Sequence, residues 1–446
     1  MLLVKMPGSG NLLAGKPLPA GSPQSPAAAT LSPQPWVVRI NTVTTTGFKP
    51  KDAAGQAAGQ AFGPVPMLDL ARQYAPLRAE LLAALEGVLD QRQFILGEPV
   101  SAFERAAEAH LGVTAAVGCS SGTDALWLAL AAAEIGPGMA VVTTPFSFFA
   151  SVSAIHRSGA RAVLADIDPV TFNLSPTAVE AVLDGPDGRA VRALLPVHLY
   201  GQCVDWTAFA RLGADRGLTL IEDAAQAWGA HWQGAPAGAL GDAAAFSFYP
   251  TKNLSAAGDA GLVTTNRPEL AERASMLRQH GMRVRYHHDE LGWNARMDGF
   301  QGAILGVKLK YIAGWNDLRR AAAMRYETLF RAAGLAEDGI YPEHGVVLPS
   351  EVPGSYHVWH QYVIRCGRRD ALREFLSARQ IGSEIYYPVP LHRQKALAAL
   401  GYSEGSFPEA ERAAREVLAL PIYPEITVEE QETVVAAIAD FLGDKN

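Results

Sequence analysis

The chain has 446 residues, 49% of them hydrophobic, with 38 Lys and Arg against 45 Asp and Glu for a formal net charge of −7. That length holds roughly two to three domains of ~150 residues, or one large α/β domain with a smaller partner, and the acidic balance argues against a nucleic-acid binder, which shows a basic face. No uncharged apolar run is long enough to span a bilayer, and three scattered cysteines without a C-x-x-C pair, Cys119, Cys203 and Cys366, argue against a disulfide framework or metal site and fit a reduced, cytoplasmic setting.

Residues 1–63 are rich in Pro, Gly, Ala and Ser ("PGSGNLLAGKPLPAGSPQSPAAATLSPQP") with little periodicity, which predicts a disordered extension without a function of its own. Its basic residues and few acids also suit a transit peptide, but it lacks the continuous apolar core of a secretory signal. Organised sequence begins at "VPMLDLARQYAPLRAELLAALEGVLD", where apolar residues recur at helical spacing. Strand candidates follow at 115–120, 140–145, 161–167, 193–199, 218–224, 243–249 and 261–266. Most are continuous apolar runs, as expected of strands buried on both faces. Alternating with amphipathic helices, they predict an α/β domain over 64–315, a mostly parallel seven-stranded sheet between helices, with right-handed crossovers. The short loop between the last two strands allows that pair to be antiparallel. One long helical stretch, 298–333, leads into a smaller α+β domain over 316–446, which carries "HQYVIRC", "RDALREFLSARQ" and "ITVEEQETVVAAIADFL".

Ligands of such sheets bind beyond the carboxyl ends of the strands. Three polar features stand there. After the first strand, Ser120, Ser121, Gly122 and Thr123 open a helix. A helix start with free N–H groups, hydroxyls and a glycine suits a phosphate; it is also an ordinary N-cap. Asp223 ends a buried strand, where a carboxylate needs a partner. That partner is a structural salt bridge, a helix cap or the protonated ring nitrogen of a cofactor, with Gln226 in reach of a neighbouring ring substituent. Lys252 lies in "FSFYPTKNLSAAGDAG", a loop of small residues with few other charges. Together these are the parts that hold pyridoxal phosphate: a phosphate cradle helped by Ser247, a pyridinium partner and a Schiff-base lysine. An aromatic from "TTPFSFFASVSAI", which offers Phe146, Phe148 and Phe149, can stack on the ring, although some of these must pack the core.

With these motifs in view, the chain resembles the DegT/StrS family of sugar aminotransferases, pyridoxal phosphate enzymes of fold type I. The resemblance runs from about residue 64 to 443 and rests on "FILGEPVSAFE", "SSGTDAL", "TTPFSFFAS", "PVHLYGQ", "IEDAAQAWGA", "FSFYPTKNL", "GDAGLVTT", "LGWNARMDGFQGAIL" and "YYPVPLH", in the family's order. It implies that Ser121, Gly122, Thr123 and Ser247 bind the phosphate, Phe149 stacks on the ring, Asp223 meets the ring nitrogen, Gln226 touches the ring hydroxyl or face, and Lys252 forms the Schiff base. Asn294 is then donated to the phosphate of a partner subunit, which implies a homodimer with shared active sites. Arg296, Tyr386, Tyr387 and His392 fall where family members touch substrate; the two tyrosines also read as packing residues. The implied reaction takes an amino group from glutamate, with Lys252 moving the proton, and gives it to a keto-sugar nucleotide at C3 or C4. Lysine rather than histidine at position 252 favours transamination over sugar dehydration. Cyclitol amination and a catalytically silent regulator that binds the cofactor are the other readings. The Gln at 226, where His is common, and the extension are departures from the family pattern.

Overall fold

In the computed structural model, residues 63–443 are described; the expected extension, residues 1–63, lies outside them but for its last residue. Seven short apolar runs pair into one sheet: β1 (Ala115–Cys119), β2 (Ala140–Thr143), β3 (Arg161–Leu164), β4 (Val191–Leu194), β5 (Thr219–Asp223), β6 (Ala243–Ser247) and β7 (Gly261–Thr265). Their spatial order is β1-β7-β6-β5-β4-β2-β3. Strands β6, β5, β4, β2 and β3 pair in parallel, while β7 runs antiparallel to both neighbours, β6 and β1. The six-to-seven loop is short enough for that reversal, as expected.

Alternate residues of each strand point to opposite faces, and each face has its own core. Val141, Ala193, Ile221, Ala245 and Val263 belong to one cluster, and Ala140, Val142, Leu194, Leu220, Ala244 and Leu262 to the other. Helix α1 (Gly122–Ala132) packs on the first face. Its residues Ala125 to Leu130 are all buried, which explains its lack of a polar stripe. Helices Glu98–Leu111 and Trp206–Arg216 cover the second face through Phe103, Leu111, Trp206 and Phe209.

The stretch expected as one helix over 298–333 is two, Gly299–Lys308 and Ile312–Ala332. Between them the amides of Lys310 and Tyr311 bond to Val307 and Lys308, 3.3 and 3.0 Å away. This three-residue spacing tightens the turn and ends the first helix. The second helix leads to a four-stranded sheet, Ala336–Glu337, Val346–Val347, Tyr362–Cys366 and Val417–Leu420, flanked by helices Arg369–Ala378 and Val428–Gly443. No described helix is long and apolar enough to cross a membrane.

Candidate active site

Sheet register brings the helix start and Ser247 to one edge. Cys119 at the end of β1 pairs with Gly261, and Gly261 with Ser247 at the end of β6. Ser121 then caps α1, its Oγ accepting from the Asp124 amide at 3.1 Å. A Cβ on Gly122 would fall 2.5 Å from the Ser247 Cβ, and one on Gly261 2.2 Å from the Ser121 carbonyl oxygen. Both contacts need glycine, so helix start and strand ends meet at backbone distance. The Gly122 and Thr123 amides precede any intrahelical acceptor and stay free to bind an anion. Asp124 would oppose one, but its carboxylate is paired with Arg157 and bonded by Ser120 and Ser121. Arg157 in turn lies 4.5 Å from the Trp127 ring centroid.

Asp223 is 4% exposed at the end of β5. Among the described residues it has neither a salt bridge nor a helix to cap. Ser151 donates to its Oδ2 at 2.7 Å, and the Ala225 amide to its Oδ1 at 3.2 Å. Ser147 stands 3.0 Å behind Ser151, oxygen to oxygen. Burial raises the Asp223 carboxyl above its ordinary pKa, against the pull of these bonds and of Lys252. Such a carboxylate is fixed in direction and poised to favour a cation in front of it.

Lys252 sits in a loop with its own buried anchors. Its amide bonds to Tyr249 O at 2.8 Å. Asn253 donates to Asn316 Oδ1 at 2.9 Å and Val358 O at 3.0 Å, and Lys308 donates to Ser255 at 2.6 Å. Burial pushes the Lys252 ammonium down to about 8, and the Asp223 charge only partly restores it. The neutral amine is the nucleophile. Its reaction with a small electrophile such as cyanate, in cofactor-free protein, should therefore climb tenfold per pH unit up to about 8 and then level off. Surface lysines should keep rising toward about 10.4. Mass spectrometry of the Lys252 peptide across pH checks this; a profile parallel to that of the surface lysines contradicts it.

The remaining expected residues divide. Gln226 faces the same region, but its amide is engaged: Oε1 accepts from the Tyr200 amide at 2.6 Å and Nε2 donates to the Tyr387 hydroxyl at 3.1 Å. Tyr387 also lies between Phe146 and Phe148, 6.2 and 6.4 Å from their centroids, so it packs among aromatics beside Gln226. The Tyr386 carbonyl accepts from the Tyr200 hydroxyl. Phe149, expected to stack on the ring, precedes helix Ala150–Arg157 and packs against the core. Its neighbour Phe148 is the aromatic left 60% exposed. His392, expected to meet substrate, is 3% exposed and bonded to Glu411 at 2.9 Å. Asn294 and Arg296 run beside the end of β1, where the Ser120 amide bonds to Ala295 O at 3.2 Å. Arg296 donates to Asn294 at 3.0 Å, and Asn294 is exposed. Sequence reasoning missed Ser151, Ser147, Tyr200 and Asn253. The available signal was their place inside quoted motifs: Ser147 and Ser151 in "FSFFAS", Tyr200 in "PVHLYGQ" and Asn253 beside Lys252 in "FSFYPTKNL".

The chain matches the model of the DegT/DnrJ/EryC1/StrS aminotransferase family over residues 76–439. It is 46% identical over 377 residues to a pleiotropic regulatory protein of Geobacillus stearothermophilus, covering 84% of this chain and 98% of the relative. A UDP-N-acetyl-3-dehydro-alpha-D-glucosamine 3-aminotransferase of Acidithiobacillus ferrooxidans is 41% identical over 378 residues, 84% of this chain and 96% of that one. Among solved structures, S. venezuelae DesV in complex with a ketimine intermediate superposes with a TM-score of 0.81 at 42% identity, covering 86% of this chain and all (100%) of that one. Fold and sequence agree that the chain belongs to the DegT/DnrJ/EryC1/StrS aminotransferase family, with the fold type I architecture.

Proposed function

We propose that the protein is a pyridoxal-phosphate-dependent aminotransferase that moves an amino group from glutamate to a nucleotide-linked keto-hexose, at C3, in cytoplasmic amino-sugar biosynthesis. The observation that carries this reading is the strand-edge arrangement of a glycine-lined phosphate cradle, a buried, serine-held carboxylate and a lysine with a lowered pKa. The residues fit the cofactor. The Gly122 and Thr123 amides with Ser121 and Ser247 would hold its phosphate, Asp223 would face its ring nitrogen and Lys252 would carry it covalently. Phe148, exposed beside Tyr387, is the aromatic we assign to its ring face in place of Phe149. When bound, the cofactor supplies an electron sink for the carbon that loses a proton.

The chain does the rest. Ser151 aims the Asp223 carboxylate, whose charge favours a protonated ring nitrogen. Lys252, whose ammonium burial pushes down to about 8, would serve as the amine that takes and returns the proton. Gln226, locked to Tyr200 and Tyr387, forms a fixed polar wall. Arg296, near Asn294, offers a cation to an anionic substrate. The amino position C3 is supported by the printed activity of the Acidithiobacillus relative. A homodimer, with Asn294 reaching the partner's cradle, is supported by the exposure of Leu291 (90%) and Trp293 (40%) beside that residue.

A second reading, a cofactor-bound regulator, is favoured by the name of the Geobacillus relative. A visible spectrum separates the two. The purified protein should be yellow with pyridoxal phosphate, and glutamate should bleach the band. A yellow protein that ignores every amino donor supports the regulator, and a protein that takes up no cofactor contradicts both.

A further inference from the structure

Asp223 is buried, and burial works against its ionisation. Favouring a cation in front of it requires the ionised form, so the donors behind it decide how well it serves. Two donors reach it. The Ala225 amide belongs to the backbone and bonds to Oδ1 at 3.2 Å, while the Ser151 hydroxyl bonds to Oδ2 at 2.7 Å. The shorter bond is the one made by a rotor, since a hydroxyl hydrogen turns to suit its surroundings. Lys252 and His198 act on the Asp223 charge, and Tyr387 feels it. His198 is itself engaged by Glu222 at 3.0 Å and Tyr387 by Gln226 at 3.1 Å.

Ser147 stands where it can direct that rotor. Ser147 is 4% exposed and Ser151 1%, so bulk water does not compete for either hydroxyl. Their oxygens are 3.0 Å apart. An ionised carboxylate only accepts, so the Ser151 hydrogen lies toward Asp223 Oδ2. The bond between the two serines must then use the hydrogen of Ser147. The direction of the whole chain follows: Ser147 donates to Ser151, and Ser151 donates to Asp223. A hydroxyl that accepts a bond becomes a stronger donor, and here its hydrogen is also kept turned to the carboxylate. The Ser147 hydroxyl meets no other polar group among the described residues. Ser147 precedes helix Ala150–Arg157, and Ser151 lies in its first turn. Ser147 is also the chain neighbour of Phe148, so the same bond ties the loop of that aromatic to the carboxylate.

We propose that Ser147 is a positioning residue for the transfer reaction: by donating to Ser151 it keeps the Ser151 hydroxyl donating to Asp223, and so holds Asp223 as a directed anion. The inference rests on the reading of Asp223 as the partner of a cationic ring nitrogen. Ser147 touches neither cofactor nor substrate in that role and acts only through Ser151.

The test uses cofactor-free full-length protein with ¹³C-labelled aspartate carboxyls, in which Asp223→Asn identifies the Asp223 signal by NMR. Losing a donor to the charged form favours the neutral acid. At a fixed pH below the Asp223 midpoint, Ser151→Ala should lower the ratio of ionised to neutral Asp223 about tenfold, the scale of one hydrogen bond to a charged group. Ser147→Ala should lower it at least about twofold. Ser147→Thr, which keeps the hydroxyl, should stay near the parent ratio. In a Ser151→Ala background, Ser147→Ala should change nothing further. An unmoved ratio in folded Ser147→Ala, an equal change in the alanine and threonine variants, or the same change with and without Ser151 overturns the proposal. Should Ser147→Ala fail to fold, Ser147→Cys decides. Its S–H is a weak donor, so the ratio should fall; a parent-like ratio overturns the proposal. Cofactor uptake is scored separately. A changed ratio in protein that takes up no cofactor removes the proposed function and keeps this inference, and uptake with an unmoved ratio does the reverse.

Discussion

Lys252→Ala should lower amine transfer by at least about 10⁴-fold, since it removes both the covalent attachment and the proton shuttle. The same substitution should leave the cofactor-free fold intact. Folding depresses the Lys252 pKa below its ordinary value, so the unfolded chain holds the proton more tightly than the folded one. The ammonium therefore costs stability below about pH 8, and this cost fades as pH rises through the ordinary lysine pKa of about 10.4. Alanine relieves it, which offsets the cavity left behind. Thermal unfolding at pH 7 should show a midpoint equal to or above that of the parent. Loss of activity together with a collapsed melting transition would mean that Lys252 is structural, and retained turnover would remove it from the chemistry altogether.

Asp223→Asn should reduce kcat by about 10²–10³-fold, the scale for removing one preorganised electrostatic group. Asparagine has the same shape and its one oxygen can still accept from Ser151, at the loss of the longer, 3.2 Å bond from the Ala225 amide. It cannot carry the charge that favours a protonated ring nitrogen. Stability should go the other way. Burial raises the Asp223 pKa in the folded state, so ionisation costs stability above that value, and the cost disappears as pH falls through it toward the unfolded pKa. The neutral amide escapes the cost, and the variant should melt no lower than the parent at pH 7. Steady-state kinetics and calorimetry on one preparation check both halves. An unchanged kcat would show that the buried carboxylate serves the fold alone.

The parts of the site that the sequence reveals are those fixed by a strand's own end. Asp223 and Ser247 close apolar runs, and Ser121 opens a helix directly after one. Each position is set by local pattern, and in a parallel sheet all strand ends meet at one edge. Strand order is different. The arrangement β1-β7-β6-β5-β4-β2-β3 depends on which apolar faces match across the whole core, and no single run encodes it. The Ser151 bond to Asp223 joins residues 72 apart in sequence and was hidden for that reason. Phe148 and Phe149 differ by one position just before a helix begins, where one residue turns the side chain by about 100°; composition cannot choose between them. His392 looks alike in a substrate loop or beside Glu411. Its burial follows from helix Pro408–Glu416, which supplies the carboxylate. Two-residue strands such as His231–Trp232 and Ser355–Tyr356 are too short for any periodic signal.

Transfer of nitrogen to a sugar is the activity proposed for this chain. The most direct measurement supplies ¹⁵N-glutamate and a UDP-linked 3-keto hexose to the holoenzyme and follows both products by mass spectrometry. One ¹⁵N should enter the sugar nucleotide for each 2-oxoglutarate formed, and Lys252→Ala should abolish both. A holoenzyme that is yellow and folded, yet places no label in any 3- or 4-keto sugar nucleotide and forms no 2-oxoglutarate, would contradict it.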